Sequence, residues 1–353
     1  MWPASDVSTA NLDAGTDSPQ LARADLKDLA DNANAMRGHV TPFMQGVLDD
    51  ADAATARATL VAAKSGANTD ITSLGSVTGV TAAAGDSSTK LATTEFVAGA
   101  GVKRGYIAGC ILSTPGSSTS LLISAGVATD DTHTTVLAIP STGKTTAAWS
   151  AGGGVGGLDT GTIANNTGYH VWAIGKADGT RDVLISLSAT TPTMPSGFTL
   201  KRRIGWAKTN GSAQWLKFRQ IGDTFLLDAA VFDVGATNPG TSAVSRTLSV
   251  PGGVEVEAIV NAGVYNTGTG VSAQLLLSSL HQADAAPSET AAPLSNSGGL
   301  AANATGGVRS SYTQTRIWTN TSAQIRSRLL ASDASVTLYI ATVGWVDPRG
   351  KDA

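Results

Sequence analysis

From Val102 to the C-terminus, apolar and polar residues alternate with a period of two, and turn-forming pairs break the alternation at short intervals. Side chains repeat every two residues on a strand and every 3.6 on a helix, so this pattern commits the region to β-sheet. Strands are expected at 104–112, 119–127, 134–139, 168–176, 181–188, 200–208 and 213–221. A second series is expected at 224–233, 244–250, 253–264, 271–280, 308–319, 322–331 and 334–346. Pro115-Gly116, Asp178-Gly179, Asn210-Gly211, Pro239-Gly240 and Pro251-Gly252-Gly253 punctuate them. Asp178-Gly179 and Asn210-Gly211 suit the positive φ values of tight hairpins. Many short strands without intervening helices give a mainly β fold of two β-sandwich, jelly-roll-like domains. The first hairpin series closes near 223–232, which divides the region into domains at 101–228 and 229–353. No repeat relates the two halves.

The preceding hundred residues read differently. Residues 1–18 are a polar, extended arm. Pro19 suits a first helical turn with Ser18 as its cap, predicting a helix over 19–40. Ala22, Leu26, Leu29, Ala33, Met36 and Val40 step by four and three along one seam, and Asp25, Lys27, Asp28, Asp31 and Arg37 stay off it. A lone helix of this length is marginal in water, so the seam needs a partner. Packing within the chain and a parallel homotrimer both supply one. Thr41-Pro42 ends the helix, and Asp49 or Asp50 can cap a second one through about Ala63. Residues 1–63 thus form an arm with helices. Residues 64–100 form a linker and junction, in which 87–98 make a short helix anchored by Phe96 and Val97.

Composition narrows the function classes. The net charge is −3, which draws the chain neither to nucleic acid nor to anionic lipid. Charged residues are 14% of the chain against roughly 25% in ordinary soluble domains, so its surface relies on Ser, Thr, Asn and Gly. Cys110 is the sole cysteine, and no intrachain disulfide can form. The first residues lack the basic and apolar segments of a signal peptide, and no apolar run approaches membrane-spanning length. Synthesis in the cytosol without membrane insertion is the expectation.

Motifs of catalytic or cofactor chemistry are weak. STGKTT (141–146) lacks the earlier glycine and following helix of a phosphate loop, and reads as a hairpin turn with an exposed lysine. GGGVGG (152–157) is not set between a strand and a helix, and reads as a flexible loop. Asp130-Asp131-Thr132-His133 offers oxygen and imidazole ligands but also reads as a turn, without a second cluster nearby in sequence. His39, His170 and His281 form no ligand pattern. Serine hydrolysis would need a Gly-x-Ser-x-Gly elbow, which is absent. Glycosidic cleavage needs a carboxylate pair, for which Asp159, Asp178, Asp182, Asp223, Asp228 and Asp233 are the candidates. No cofactor, metal or catalytic residue is assigned, and the chain is expected not to be an enzyme.

The aromatic residues divide by context. Trp172, Trp206 and Trp345 sit in apolar strands and read as core. Trp149 adjoins the Gly-rich loop, and Tyr312 and Trp318 lie in SSYTQTRIWTNTS among hydrogen-bonding side chains. An aromatic beside amides and hydroxyls suits sugar stacking and, more strongly, a trimer interface. Trp149, Tyr312, Gln314, Arg316, Trp318 and Asn320 are the candidate binding residues, centred on 309–320.

Three stretches resemble bacteriophage tail-fibre and related virion appendage proteins. The first is 41–60, with Phe43-Met44, Leu48-Asp49-Asp50-Ala51-Asp52-Ala53-Ala54 and Ala56 to Leu60. The second is GDSSTKLATTEFV at 85–97, and the third is 168–225, from GYHVWAIG through PSGF and RRIGW to GDTF. The resemblance implies a virion protein made in the host cytoplasm, with its N-terminal region attached to other tail or baseplate proteins. It implies a homotrimer, joined through Leu26, Leu29, Ala33, Met36, Val40, Phe96 and Val97. The β-domains would bind a host-surface glycan or protein. A baseplate, collar or head-fibre component without a receptor role, and a polysaccharide depolymerase, are the alternatives.

Overall fold

The computed structural model describes residues 19–39, 104–288 and 308–351, together with 41, 44, 51, 52, 54–56, 290, 292 and 297–300. Residues 1–80 and 81–353 are two separate compact units.

In the first unit, α1 spans Pro19–His39. It begins at the proline expected to start it and stops before Thr41-Pro42. Leu26, Leu29, Ala33 and Met36 all lie exposed on it. Val40, Phe96 and Val97 fall outside the described residues, as does most of the second helix expected before Ala63. The described part of that segment is a helical turn at 54–56, capped by Asp52, which accepts from the backbone N–H of Ala54 (2.7 Å) and Thr55 (2.9 Å).

The second unit is mainly β. Its strands are β1 (Ile107–Gly109), β2 (Leu112–Ser113), β3 (Ser120–Ile123), β4 (Gly126–Thr129), β5 (Val136–Ile139), β6 (Thr142–Ala148) and β7 (Val155–Leu158). Then come β8 (Gly168–Gly175), β9 (Arg181–Ser186), β10 (Leu200–Lys208), β11 (Phe218–Ile221), β12 (Thr224–Thr237) and β13 (Val244–Thr247). The last are β14 (Glu257–Asn266), β15 (Ala273–Ser278), β16 (Ser297–Leu300), β17 (Arg309–Trp318), β18 (Gln324–Leu329) and β19 (Val336–Val346).

A 12-stranded sheet runs β10-β8-β9-β7-β6-β3-β2-β11-β12-β19-β14-β17. A three-stranded sheet, β1-β4-β5, packs on its first half, and a four-stranded sheet, β13-β18-β15-β16, packs on its last four strands. Between β12 and β19 the chain passes back and forth between the 12-stranded and the four-stranded sheet. Alternation sets the filling: Ala258, Val260, Ala262 and Val264 of β14 face inward against Leu275, Leu277, Ile325 and Leu329.

The boundary expected between 228 and 229 falls inside β12. The first part of that strand pairs with β11 (Phe218↔Leu227), and its whole length pairs with β19 (Thr224↔Val346 to Thr237↔Thr337). Register shifts between Leu226 and Val231 and between Phe232 and Val234 bend the strand without ending it. One core cluster therefore serves two lobes. At their junction, Trp345 stacks on Phe225 (centroids 5.2 Å, 8°) and meets Trp206 edge-on (5.0 Å, 90°). Trp172, Trp206 and Trp345 are all buried.

Two corrections concern the first lobe. Lys144 is not on an exposed turn: it lies in β6, fully buried, paired with Asp182 at 2.9 Å and donating to the Ser150 and Gly152 carbonyls at 2.8 Å. The glycine run is not a free loop, because β7 pairs in parallel with both β6 and β9. Its tip is held by Lys144 and by Gly152 N–H donating to Asp182 (3.0 Å).

Past β19 the chain turns back onto the first lobe. Asp347 accepts two hydrogen bonds from Arg203 of β10 (2.7 and 2.6 Å), with both side chains buried. Arg349 and Lys351 converge on Asp223, each reaching it at 2.7 Å. Beside this network lies His170, whose ring donates to the Gly252 carbonyl at 2.9 Å. Burial and the Arg203 charge push its pKa down to about 4. Among the described residues, no helix is long and apolar enough to cross a membrane.

Candidate functional site

The outer face of β12-β19-β14-β17, opposite the packed interior, carries the largest gathering of exposed aromatic rings in the second lobe. Strand parity dictates it. In β19, Val336, Leu338 and Ile340 point into the core, so Thr337, Tyr339 and Ala341 point out. In β14, Val264 points in and Tyr265 out. In β17, Ser310, Tyr312, Gln314, Arg316 and Trp318 occupy the outward positions.

Register then brings four strands into one row. Tyr312 pairs with Gly263, Gly263 with Tyr339, and Tyr339 with Gly235. The row reads large, small, large, small. Each glycine leaves its site open to the neighbouring ring. A Cβ on Gly263 would lie 2.6 Å from the Tyr312 ring and 2.0 Å from the Ser311 carbonyl oxygen. A Cβ on Gly235 would lie 2.7 Å from the Phe232 ring. Tyr339 is thereby the hub, with ring centroids 6.0 Å from Phe232 and 6.5 Å from both Tyr265 and Tyr312. Covering backbone glycine with aromatic faces is a recognised way to stabilise a sheet surface. Yet Phe232 stays 64% exposed and Tyr312 53%, so the rings remain accessible. Partial burial, with Tyr339 and Tyr265 close by, raises the Tyr312 hydroxyl above its ordinary pKa and keeps it a neutral donor.

Polar pairs flank this row. Gln314 donates to Asn261 (3.2 Å), Arg316 meets Glu257 (3.3 Å), and the Thr237 and Thr337 hydroxyls are 3.3 Å apart. Trp318, 47% exposed, lies across from Glu257 at the end of β17. The face thus offers a ring platform with amides, hydroxyls and one ion pair around it. Such a surface can stack on the apolar face of a sugar ring and exchange hydrogen bonds with its hydroxyls.

Of the residues singled out from sequence, Tyr312, Gln314, Arg316 and Trp318 share this face. Asn320 does not serve it. Its side-chain oxygen accepts from Ser322 and Gln324 N–H (3.0 and 2.9 Å), closing the turn after β17. Trp149 belongs to a separate cluster in the first lobe with Trp172, Ile174, Leu184 and Phe198. It meets Phe198 edge-on at 5.5 Å and donates to the Val183 carbonyl. Phe232, Tyr265 and Tyr339 were not anticipated. Parity alone marks Tyr265 and Tyr339 as outward, but the row itself depends on register.

The other candidates have structural partners. Asp130 accepts from Thr134 and Thr135 N–H (2.9 and 2.7 Å) and from Thr132, and Asp131 pairs with Lys201. Burial raises the Asp130 pKa, but these hydrogen bonds outweigh it and hold the carboxyl below its usual range. The six aspartates weighed for glycosidic chemistry are also separately engaged. Asp159 binds Ser186 (2.6 Å), Asp182 binds Lys144, Asp223 binds Arg349 and Lys351, and Asp233 binds Ser249 (2.6 Å). Asp178 caps its own hairpin through Thr180, and Asp228 meets Lys217 on the surface.

No family model matches the chain, and no curated protein matches it.

Proposed function

We propose that this chain is a subunit of a bacteriophage tail fibre or related virion appendage, which binds a host-surface saccharide through the outer face of β12-β19-β14-β17. The observation that carries this reading is the exposed row of Tyr312, Tyr339 and Phe232 between amide and hydroxyl pairs. A core-forming aromatic cluster would be buried, whereas this one is presented to solvent on a rigid sheet. The resemblance of 41–60, 85–97 and 168–225 to virion appendage sequences supplies the biological setting. We read the eight strands from β12 to β19 as a jelly roll, since they alternate between two packed four-stranded sheets, and the first lobe as a second sandwich-like body. The protein would be made in the host cytoplasm and act in the virion without enzymatic activity, cofactor or metal.

The exposed seam of α1 supports assembly through the N-terminal region. Leu26, Leu29 and Met36 are exposed, and parallel copies would bury them against one another. A homotrimer held there, attached to other tail or baseplate proteins, would present three copies of the outer face. Weak sites would then act together. Native mass spectrometry of the full chain tests the assembly: a trimer that Leu29→Asp converts to monomer is expected, and a wild-type monomer contradicts it. Antibody labelling of particles tests the setting. Antibody raised against the β17 strand should decorate the distal ends of an appendage; decoration of a collar or inner baseplate would favour a purely structural component.

A further inference from the structure

A second site lies where the C-terminal tail crosses the first lobe. A cleft of ≈ 410 Å³ opens there, with walls that include Trp172, Arg202, Arg203, Arg349, Gly350 and Thr190. That size is within the range of small-molecule sites.

Its three guanidinium groups are not equally compensated. Arg203 holds Asp347 in a two-point pair, and Arg349 holds Asp223. Arg202 is only 3% exposed, and its one side-chain partner is the Gly350 carbonyl, at 2.7 Å. Among the described residues no carboxylate lies within ion-pair distance of it; Asp131, which also lines the cleft, and Asp130 act on it from further away, and Asp131 is itself engaged by Lys201. Among the described residues, neither Arg202 Nε nor Arg349 Nη1 has a hydrogen-bond partner, and both atoms are buried. Burial and the neighbouring Arg203 lower the pKa of Arg202, a sign that the charged form is under-stabilised. A buried guanidinium paired only with a carbonyl is expensive, and a planar oxyanion is the group that matches its fork of donors.

Trp172 supplies an apolar wall beside these donors. Its indole is fixed by donation to the Ser188 carbonyl (3.2 Å) and faces the Lys201 ammonium at 5.6 Å. Glu255, also on the cleft wall, is turned to His281 at 3.3 Å.

We infer that this cleft binds the carboxylate of an acidic sugar residue, with Arg202 as the principal anion ligand, Arg349 assisting, and Trp172 against the ring. The saccharide part rests on the proposed host-surface reading. It makes the protein a two-site binder, with a saccharide face on the second lobe and an acidic-sugar cleft on the first.

The test is calorimetry and saturation-transfer NMR on the full chain with glucuronate, glucose and inorganic phosphate as probes. Glucuronate should bind saturably, glucose should not bind in the cleft, and phosphate should bind more weakly than glucuronate. Arg202→Gln should weaken glucuronate by at least about tenfold, as loss of a charged, hydrogen-bonded partner does. Because that variant removes a buried group and could unfold the lobe, Thr190→Trp provides a second approach. It fills the mouth of the cleft from an exposed position and should abolish the glucuronate signal with the fold intact. Absence of saturable glucuronate binding overturns the inference, and so does binding that survives Thr190→Trp. Phosphate binding as tight as glucuronate overturns the sugar assignment. If glucuronate binds in the cleft while the protein fails to adsorb to host cells, the cleft stands and the proposed function falls; adsorption without glucuronate binding gives the reverse.

Discussion

The two lobes share one sheet and one core, yet they handle charged groups in opposite ways. The first lobe buries them. Lys144 with Asp182, Arg203 with Asp347, and neutral His170 all lie inside, and the tail at 347–351 is fastened through them. The second lobe fills its sandwich interior with aliphatic side chains and uncharged polar ones such as Asn266, Thr319 and Thr342, and carries an aromatic row with amide pairs on the outer face of β12-β19-β14-β17. The first arrangement fixes the position of a chain end; the second presents a surface. Stability should therefore be most sensitive to polar substitutions in the first lobe, and binding most sensitive to substitutions in the second.

The sharpest way to break this contrast is Asp347→Ala. It leaves Arg203 buried without its partner, and a loss of about 3–5 kcal/mol is expected from denaturant unfolding. A loss below about 1 kcal/mol would show that the tail is not a fastening.

The next effect depends on pH. His170 has a folded pKa of about 4, below its ordinary value near 6.5. The unfolded chain therefore binds a proton that the folded chain refuses between these values. Stability is fully present above about pH 6.5 and falls as pH drops towards 4, by up to about 3 kcal/mol. His170→Gln should flatten that dependence; an unchanged pH profile would assign it to other groups.

In the second lobe, Gly263→Ala places a Cβ 2.0 Å from the Ser311 carbonyl oxygen and against Tyr312. A loss of about 1–3 kcal/mol is expected, together with a shift in the Tyr312 and Tyr339 ring resonances. Smallest of all, Gln314→Ala removes an exposed hydrogen bond to Asn261. It should change stability by no more than about 0.5 kcal/mol while weakening saccharide binding.

Much of the fold was legible because it depends on local pattern. Each expected strand overlaps an observed one, and β10 matches its expected 200–208 span. Asp178-Gly179 closes the β8–β9 hairpin with Gly179 at φ 95°. What escaped depends on partners distant in sequence. TGKTTAA carries too little apolar alternation to declare itself as β6, and VGGL is too short and Gly-rich to declare β7. β6 becomes a strand between antiparallel β3 and parallel β7, β7 between parallel β6 and β9, and the buried Lys144 fixes both. The turn at Gly222-Asp223 resembles a domain end, but β12 continues through a bulge because both its halves find partners. For the candidate site, β17 was found from composition, since polar residues alternate there with Tyr312 and Trp318. The remaining rings were not found, because a row of Tyr312, Gly263, Tyr339 and Gly235 exists only once four strands are in register.

The central claim is that the outer face of the second lobe contacts the host. Adsorption competition tests it most directly: host cells are preincubated with the assembled full chain, phage is added, and free particles are counted. Wild-type protein should block adsorption, and the double variant Tyr312→Ala, Phe232→Ala should fail to block while retaining the wild-type unfolding free energy within about 1 kcal/mol, as expected for two largely exposed rings. Equal blocking by the folded double variant would contradict the account.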